Sequence, residues 1–390
     1  MNVLIIGGTG VLSSAVTAEA QRKGIEVTMI NRGKRKIPQG VELVKADRDD
    51  LQTIAKSLEG RTFDAVMDYL CYTDEQTEKS ARFYMKYTKQ YFYISSCAVY
   101  DTKNLNGRMA DEESDKVLSI WKYSVNKWAS EKKIQAIFKG SGVNYTIIRP
   151  CVTYGDTRIP YGISPTYGFH WTLCARILAG KPIITWNHGN NRCNMTRVED
   201  FAVGVVGLIG NPKAYGEAFN VCGDEAPTFR EVLDMLSEYL HKNVITVDVS
   251  SDFYAKELPN KAGEILGGRS IDTINSNAKL KDVVPEFKQS IFLKEGITKT
   301  LEAYKVQNYQ HGIDWTFDAE TDRIIKKWCK KKHIDYKQYN LGFIDYLGNA
   351  SVYDKYLFFE TFRKDVLIVK IIRGIKRGYL RIGARLHIWG

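Results

Sequence analysis

The stretch Asn2-Val-Leu-Ile-Ile-Gly7-Gly8-Thr9-Gly10-Val11-Leu12-Ser13 constrains the fold more than any other part of the chain. An apolar run of strand length meets three glycines within four residues and passes directly into "VLSSAVTAEAQRKG", whose apolar residues recur at helical spacing and which ends at a glycine. Glycine is the residue for a backbone that must turn tightly and stay bare. An anion can then approach the amide N–H groups of the helix N-terminus, where the helix dipole also favours it. The pattern is Gly7-x-x-Gly10-x-x-Ser13, with a small residue where helix and strand must pack closely. Further apolar runs at 26–31, 41–46 and 63–70 alternate with helical segments such as "DDLQTIAKSLEG", and 91–96 and 145–150 continue the series around a helical pattern at 115–139. Such β-α alternation predicts an α/β fold, a doubly wound parallel sheet with helices on both faces.

The rhythm changes after about residue 156, where "RIPYGISPTYGFHW" is loop-like and a helix near 168–179 follows. The expected organisation is a dinucleotide-binding domain over 1–155, rejoined by 196–222; a smaller, discontinuous substrate-binding lobe over 156–303; and a helical, basic extension over 304–390. Seven cysteines (71, 97, 151, 174, 193, 222 and 329) stand singly with no CxxC pair, which argues against a disulfide framework or a zinc cluster and for a reducing compartment. The histidines show no ligand spacing, so no metal is expected. Neither a basic leader nor a run of about 18 apolar residues is present, and a cytoplasmic location is expected.

The net charge of +11 is unevenly placed. Residues 361–390 hold eight Lys/Arg and one acid, so the other 360 residues carry only +4, ordinary for a protein handling anionic ligands. On a helical projection Ile368, Ile371, Ile372, Ile375, Tyr379, Ile382 and Leu386 share one face, and Lys370, Arg373, Arg377 and Arg381 the other. That face either docks on the second lobe or a partner subunit, or lies on an anionic membrane surface. Gly374, Gly378 and Gly383 weaken the helix by up to about 1 kcal/mol each.

In "WKYSVNKWASEK" Tyr123 and Lys127 stand four apart, on one face of a predicted helix. A phenol of ordinary pKa near about 10 is a poor base at neutral pH unless a cation stabilises its anion. Together with "GGTGVLS", "ADRDD" (46–50), "YISSCAVY" (93–100), "YSVNK" (123–127), "RPCVTYG" (149–155) and "VEDFA" (198–202), this set resembles the extended short-chain dehydrogenase/reductase family, the nucleotide-sugar epimerase/dehydratase branch, over residues 1 to about 303. The resemblance implies a Rossmann-type sheet, a catalytic set of Ser96, Tyr123 and Lys127, a nucleotide-sugar substrate and a homodimer. It implies NAD(P) contacts from Gly7, Gly10, Val11, Leu12, Asn31, Arg32, Asp47, Arg48, Tyr69, Leu70, Tyr123, Lys127, Pro150 and Val152. Asp47 as a helix cap is the competing reading. Arg149 and Pro150 close a strand beneath the nicotinamide.

The second strand ends in "INRGKRK" with no acid at its tip, and Arg32, Lys34 and Arg35 there favour NADP(H). Where the family has small residues after its fourth strand, this chain has Asp68, Tyr69, Leu70 and Cys71. After Ser96 stand Cys97 and Ala98 rather than the acid of the dehydratases, which favours epimerisation or carbonyl reduction unless Glu112 or Glu113 supplies the acid. Substrate contacts are expected from Ser96, Cys97, Tyr123, Arg192 and Arg269, with Arg197 able to share or replace the role of Arg192, and with His170 lining the pocket or packing. Reduction of a small non-sugar carbonyl compound is the alternative, and nucleic-acid binding on the same fold a more remote one.

Overall fold

The computed structural model describes residues 1–341 except 106, 117–119, 167–168 and 308–311, and beyond these only 352, 367, 370–375, 377 and 378. The first half alternates β1 (Asn2–Ile6), α1 (Val11–Arg22), β2 (Glu26–Asn31), β3 (Glu42–Lys45), α2 (Leu51–Ser57), β4 (Ala65–Asp68), α3 (Asp74–Tyr84), β5 (Gln90–Ile94), α4 (Lys122–Phe138) and β6 (Asn144–Pro150). There follow β7 (Val152–Tyr154), α5 (Trp171–Leu178), β8 (Ile183–Thr185), β9 (Met195–Arg197), α6 (Val198–Gly207), β10 (Glu217–Val221), α7 (Phe229–Leu240), β11 (Thr246–Asp248) and α8 (Ser251–Glu257). The rest is α9 (Ala262–Glu264), α10 (Ala278–Val283), α11 (Leu293–Val306) and α12 (Trp315–Lys332).

Seven strands form one parallel Rossmann-type sheet in the order β3-β2-β1-β4-β5-β6-β10. Its strands are buried on both faces, so they read as continuous apolar runs rather than alternating ones. Val16 and Ala20 of α1 and Phe201 and Val205 of α6 cover one face through Val3, Ile5, Met67 and Phe92. Ile54 of α2, Ala81 of α3 and Ile134 of α4 cover the other through Leu4, Ile6, Val66 and Tyr91. The segment after residue 196 thus returns to the sheet, with α6 against α1 and β10 beside β6. Strand order reverses between β1 and β4, and a crevice for ligands opens at such a switch point, beyond the carboxyl ends of the strands.

The second lobe packs around α5, α7 and α11 (Leu173, Ile177, Val232, Leu233, Ile297 and Leu301), with the short pairs β7·β9 and β8·β11 beside it. α12 begins beyond residue 303 yet belongs with this lobe. Ile324, Ile325, Trp328 and Cys329 pack with Ile184, Val247 and Tyr254. Its Asp318 and Asp322 bind the buried Arg176 and Lys181, the ion pairs spanning 2.5 to 2.8 Å.

Candidate active site

At the glycine turn Gly7 and Gly8 have φ of +104° and +73°, conformations that side chains rarely adopt, and a Cβ on Gly8 would collide with Met29 at 2.3 Å. Gly10 precedes α1 and carries no side chain to occupy the helix end; its own N–H donates to Ser13 Oγ at 3.0 Å, and no acid stands in the first turn. The remaining first-turn amides are therefore suited to an anion. Asn31, at the tip of β2, donates through Nδ2 to Gly7 O (3.1 Å) and accepts from Gly33 N (2.7 Å). Arg32 is exposed, and Arg35 reaches back over the turn to Thr9 O at 2.6 Å.

After β4, the four residues that depart from the family pattern form a self-contained corner. The buried Asp68 accepts from Leu70 N (2.7 Å), Ser80 Oγ (2.5 Å) and Cys71 Sγ (3.1 Å). Arg48 donates to Leu70 O and approaches Asp68 at 4.0 Å. Leu70 and Tyr69 lie beside Gly7, and Tyr69 also lines the cleft. Asp47 is exposed and accepts from Asp49 N (3.1 Å); the cap of α2 is Asp50, which accepts from Thr53 N, so the helix-cap alternative for Asp47 is corrected.

α4 carries Tyr123, Lys127 and Glu131 at successive fourth positions, on one face turned to the ends of β5 and β6. Lys127 is 4% exposed; its Nζ donates to the carbonyl oxygens of Cys71 (2.8 Å) and Ile94 (2.7 Å) and lies 5.9 Å from the centre of the Tyr123 ring. Burial lowers its pKa to about 8. Burial raises that of Tyr123, opposed by a hydrogen bond with Ser96 and by the charges of Arg269 and Arg158. Ser96 leaves β5 in extended conformation, and its Oγ accepts from Ala98 N at 3.2 Å. Glu131 is fully buried, accepts from Ser95 Oγ (2.5 Å) and grips Arg149 in a two-pronged pair at 3.0 and 2.6 Å. Arg149 also donates to Tyr100 Oη at 2.7 Å, so it braces α4 against the sheet from behind.

A cavity of about 630 Å³ opens over this face. Leu12, Tyr69, Ser96, Cys97, Tyr123, Lys127, Pro150, Val152 and Arg269 line it, as does His170, which burial holds at a pKa of about 4. Gly7, Gly10 and Val11 form the glycine turn, Asn31 and Leu70 touch it, and Arg32, Asp47 and Arg48 follow β2 and β3; all lie outside the lining. Arg192 also lies outside it, exposed, with Nε on Ala226 O at 2.9 Å. Arg197 is buried against Asp156, Glu199 and Thr300. Glu112 is buried and accepts from Asn220 N (2.7 Å); neither it nor Glu113 lines the cavity.

Sequence reasoning missed Trp121, Arg158, Lys261 and Glu264, which all line the cavity. Glu264 is the one carboxylate of the lining among the described residues, and it is paired with Arg269 at 3.2 Å. The segment bearing both ends in a single π-type turn, Ile265–Arg269, a form frequent at functional sites. That turn, and the glycines at 263, 267 and 268, were the available signal.

A family model described as the NAD dependent epimerase/dehydratase family matches residues 3–222. The chain belongs to that family. The bare, acid-free helix end beyond β1 suits the pyrophosphate of its dinucleotide, and the cleft leading from it to Tyr123 suits the nicotinamide half. The chain is 27% identical over 242 residues to the chloroplast stem-loop binding protein of 41 kDa b of Arabidopsis thaliana, a match covering 58% of this chain and 60% of that one. It is 24% identical over 220 residues to the uncharacterized UDP-glucose epimerase YtcB of Bacillus subtilis (56% and 61%). Both matches thus span about three-fifths of the relative's length. Among solved structures, the UDP-glucuronic acid 4-epimerase of Bacillus cereus, in complex with UDP-glucuronic acid and NAD, superposes with a TM-score of 0.62 at 16% identity, over 79% of this chain and 100% of that one.

Proposed function

We propose that this chain is an NAD(P)-dependent epimerase or carbonyl reductase of a nucleotide-activated sugar, with Ser96, Tyr123 and Lys127 as its catalytic residues. The observation that carries the reading is a buried ammonium held by two carbonyls beside the Tyr123 phenol, in the same cavity as Arg158, Lys261 and Arg269. When bound, the dinucleotide supplies the redox partner of the reacting carbon. Tyr123 takes the proton from the sugar hydroxyl as it becomes a carbonyl and returns it on reduction; Lys127 stabilises the phenolate in between. Ser96, hydrogen-bonded with the phenol, holds the same oxygen in place. The three cations at the cavity wall match a diphosphate, which favours a nucleotide sugar over a small neutral carbonyl compound. The only described carboxylate in the lining is engaged by Arg269, which favours epimerisation or reduction over dehydration. Arg32 and Arg35, with no acid at the tip of β2, favour NADP(H).

The test is incubation of the purified protein with a panel of UDP-hexoses and either dinucleotide, followed by NMR of the sugar. An epimerase yields an epimer mixture with no net change in dinucleotide absorbance, whereas a reductase consumes reduced dinucleotide in proportion to product. Failure of every UDP-sugar to shift the melting temperature, alongside a shift with NADPH, transfers the assignment to a smaller carbonyl substrate. The likeness to a stem-loop binding protein supports a second reading, RNA binding on the same fold. Its mark is an affinity that falls steeply with salt.

A further inference from the structure

Of the extension beyond residue 303, the amphipathic segment expected over 368–386 lies largely outside the described residues, whereas α12 is described along its whole length. α12 stands behind both stretches of chain that bring Arg158, Lys261 and Arg269 to the cavity. The first is the loop between β7 and α5, which carries Arg158, Ser164 and Pro165 to the lining. Asp314, the N-cap of α12, divides its carboxylate between two donors. Its Oδ1 accepts from Phe317 N at 2.9 Å and starts the helix, and its Oδ2 accepts from Thr166 N at 2.7 Å, one residue past Pro165. Its own N–H donates to Thr172 Oγ1 of α5 at 2.7 Å. The second stretch bears Lys261, Glu264 and Arg269. It follows α8, whose last residue, Glu257, accepts from Arg323 and, at 2.8 Å, from Lys327. Ile324 and Ile325 belong to one buried cluster with Ile163 of the first stretch and Leu258 and Ile265 of the second. Trp186 belongs to it too, and its Nε1 donates to Arg269 O at 2.8 Å.

We propose that α12 is a positioning element for the site: it fixes the loop of Arg158 relative to the strip of Lys261 and Arg269, and so selects a diphosphate over a monophosphate. The inference rests on the nucleotide-sugar reading of the cavity. A single phosphate group is satisfied by the cations of one stretch. Two linked phosphates gain the second stretch only where the separation is already set, because a wall that must first be ordered returns part of the binding energy as lost entropy. No described residue of α12 lines the cavity, so the helix acts through the two walls and not on the ligand.

The test is calorimetric titration of the full chain with UDP and with UMP. Asp314→Asn is the informative variant: asparagine caps a helix as well as aspartate does, but it leaves one acceptor oxygen for two donors. With the cap kept, the bond to Thr166 is lost. Asp314→Asn and Glu257→Gln are each expected to weaken UDP binding about three- to ten-fold, and the double variant more, while UMP affinity changes by under about two-fold and dinucleotide affinity is unaltered. Where Asp314→Asn lowers the melting temperature through loss of the cap, Thr172→Val, which removes the hydroxyl reached by Asp314 N and leaves the carboxylate alone, is read in its place. Equal losses for UDP and UMP, or variants that bind UDP like the wild type, overturn the proposal. A wild type that binds UDP no better than UMP overturns this inference and leaves the nucleotide-sugar reading standing, whereas a wild type that binds neither overturns both.

Discussion

Two buried lysines of this molecule are held in opposite ways. Lys181 ends between Asp318 and Asp322 at 2.6 and 2.7 Å, beside an equally buried Arg176 that shares both carboxylates. Lys127, just as deep, donates to the carbonyl oxygens of Cys71 and Ile94 and stands 5.1 and 5.3 Å from the ring centres of Tyr93 and Tyr72, with no described carboxylate in hydrogen-bond contact. Full pairing turns the first group into a fastener that fixes α12 to the second lobe. Partial compensation leaves the second able to release its proton near neutrality, since dipoles repay less of the desolvation cost than a carboxylate does. The carboxylate-bound cation fastens two elements of the fold, and the other stands among carbonyls and aromatic faces beside a phenol in the cavity.

The sharpest way to break this contrast is at Tyr123. Tyr123→Phe is expected to lower turnover by about 10²- to 10⁴-fold while dinucleotide affinity, followed by fluorescence titration, is preserved. Asp318→Ala attacks the other member: with Arg176 and Lys181 left undercompensated, unfolding in urea is expected to show a loss of about 3–5 kcal/mol, with turnover per folded molecule unchanged.

Lys127 sharpens the comparison through pH. Its folded pKa of about 8 lies below the unfolded value, so between the two the native state binds fewer protons than the unfolded chain, and stability rises with pH. The cost of burying its charge is fully present below about pH 8 and is relieved by about 3 kcal/mol on passing to about pH 10.5. A difference titration of wild type against Lys127→Met is expected to show that rise only in the wild type. Turnover is expected to fall above about pH 8, as the ammonium charge is lost. The smallest effect is at the surface, where Arg35, a cation on a single carbonyl, is expected on replacement by Ser to weaken NADPH binding about ten-fold and leave NADH binding unaltered, measured by calorimetry.

How much of this was legible in the sequence depends on the distance over which each feature is set. The glycine turn and the Tyr123–Lys127 spacing are local, fixed by one turn of backbone and one helix face, and the strand-helix alternation gave the sheet. The alternative that Asp47 caps α2 fails because Asp47 and Asp50 offer the same chemistry, and only backbone geometry chooses Asp50. Arg158 reaches the cavity from the loop after β7, and Lys261 and Glu264 from short helical turns at α9, segments too brief for any periodicity to announce them. Likewise the inward burial of Arg197 follows from where α11 and the β7·β9 pair meet. The corner at Asp68 was visible as a departure, but its cause, a carboxylate at the end of β4 satisfied by Ser80 of α3, was not.

Gly263 and Gly268 lie on opposite parts of Trp121, so close that a methyl group at either would stand 3.0 Å from it. Trp121 is also the residue from which α4 starts, two positions before Tyr123. The strip of chain presenting Lys261, Glu264 and Arg269 is thus seated flush on the root of the helix that bears Tyr123. One indole, 5.1 Å from the Tyr123 ring, joins the charged far wall of the cavity to the start of α4 by direct contact, so neither can be enlarged without displacing the other.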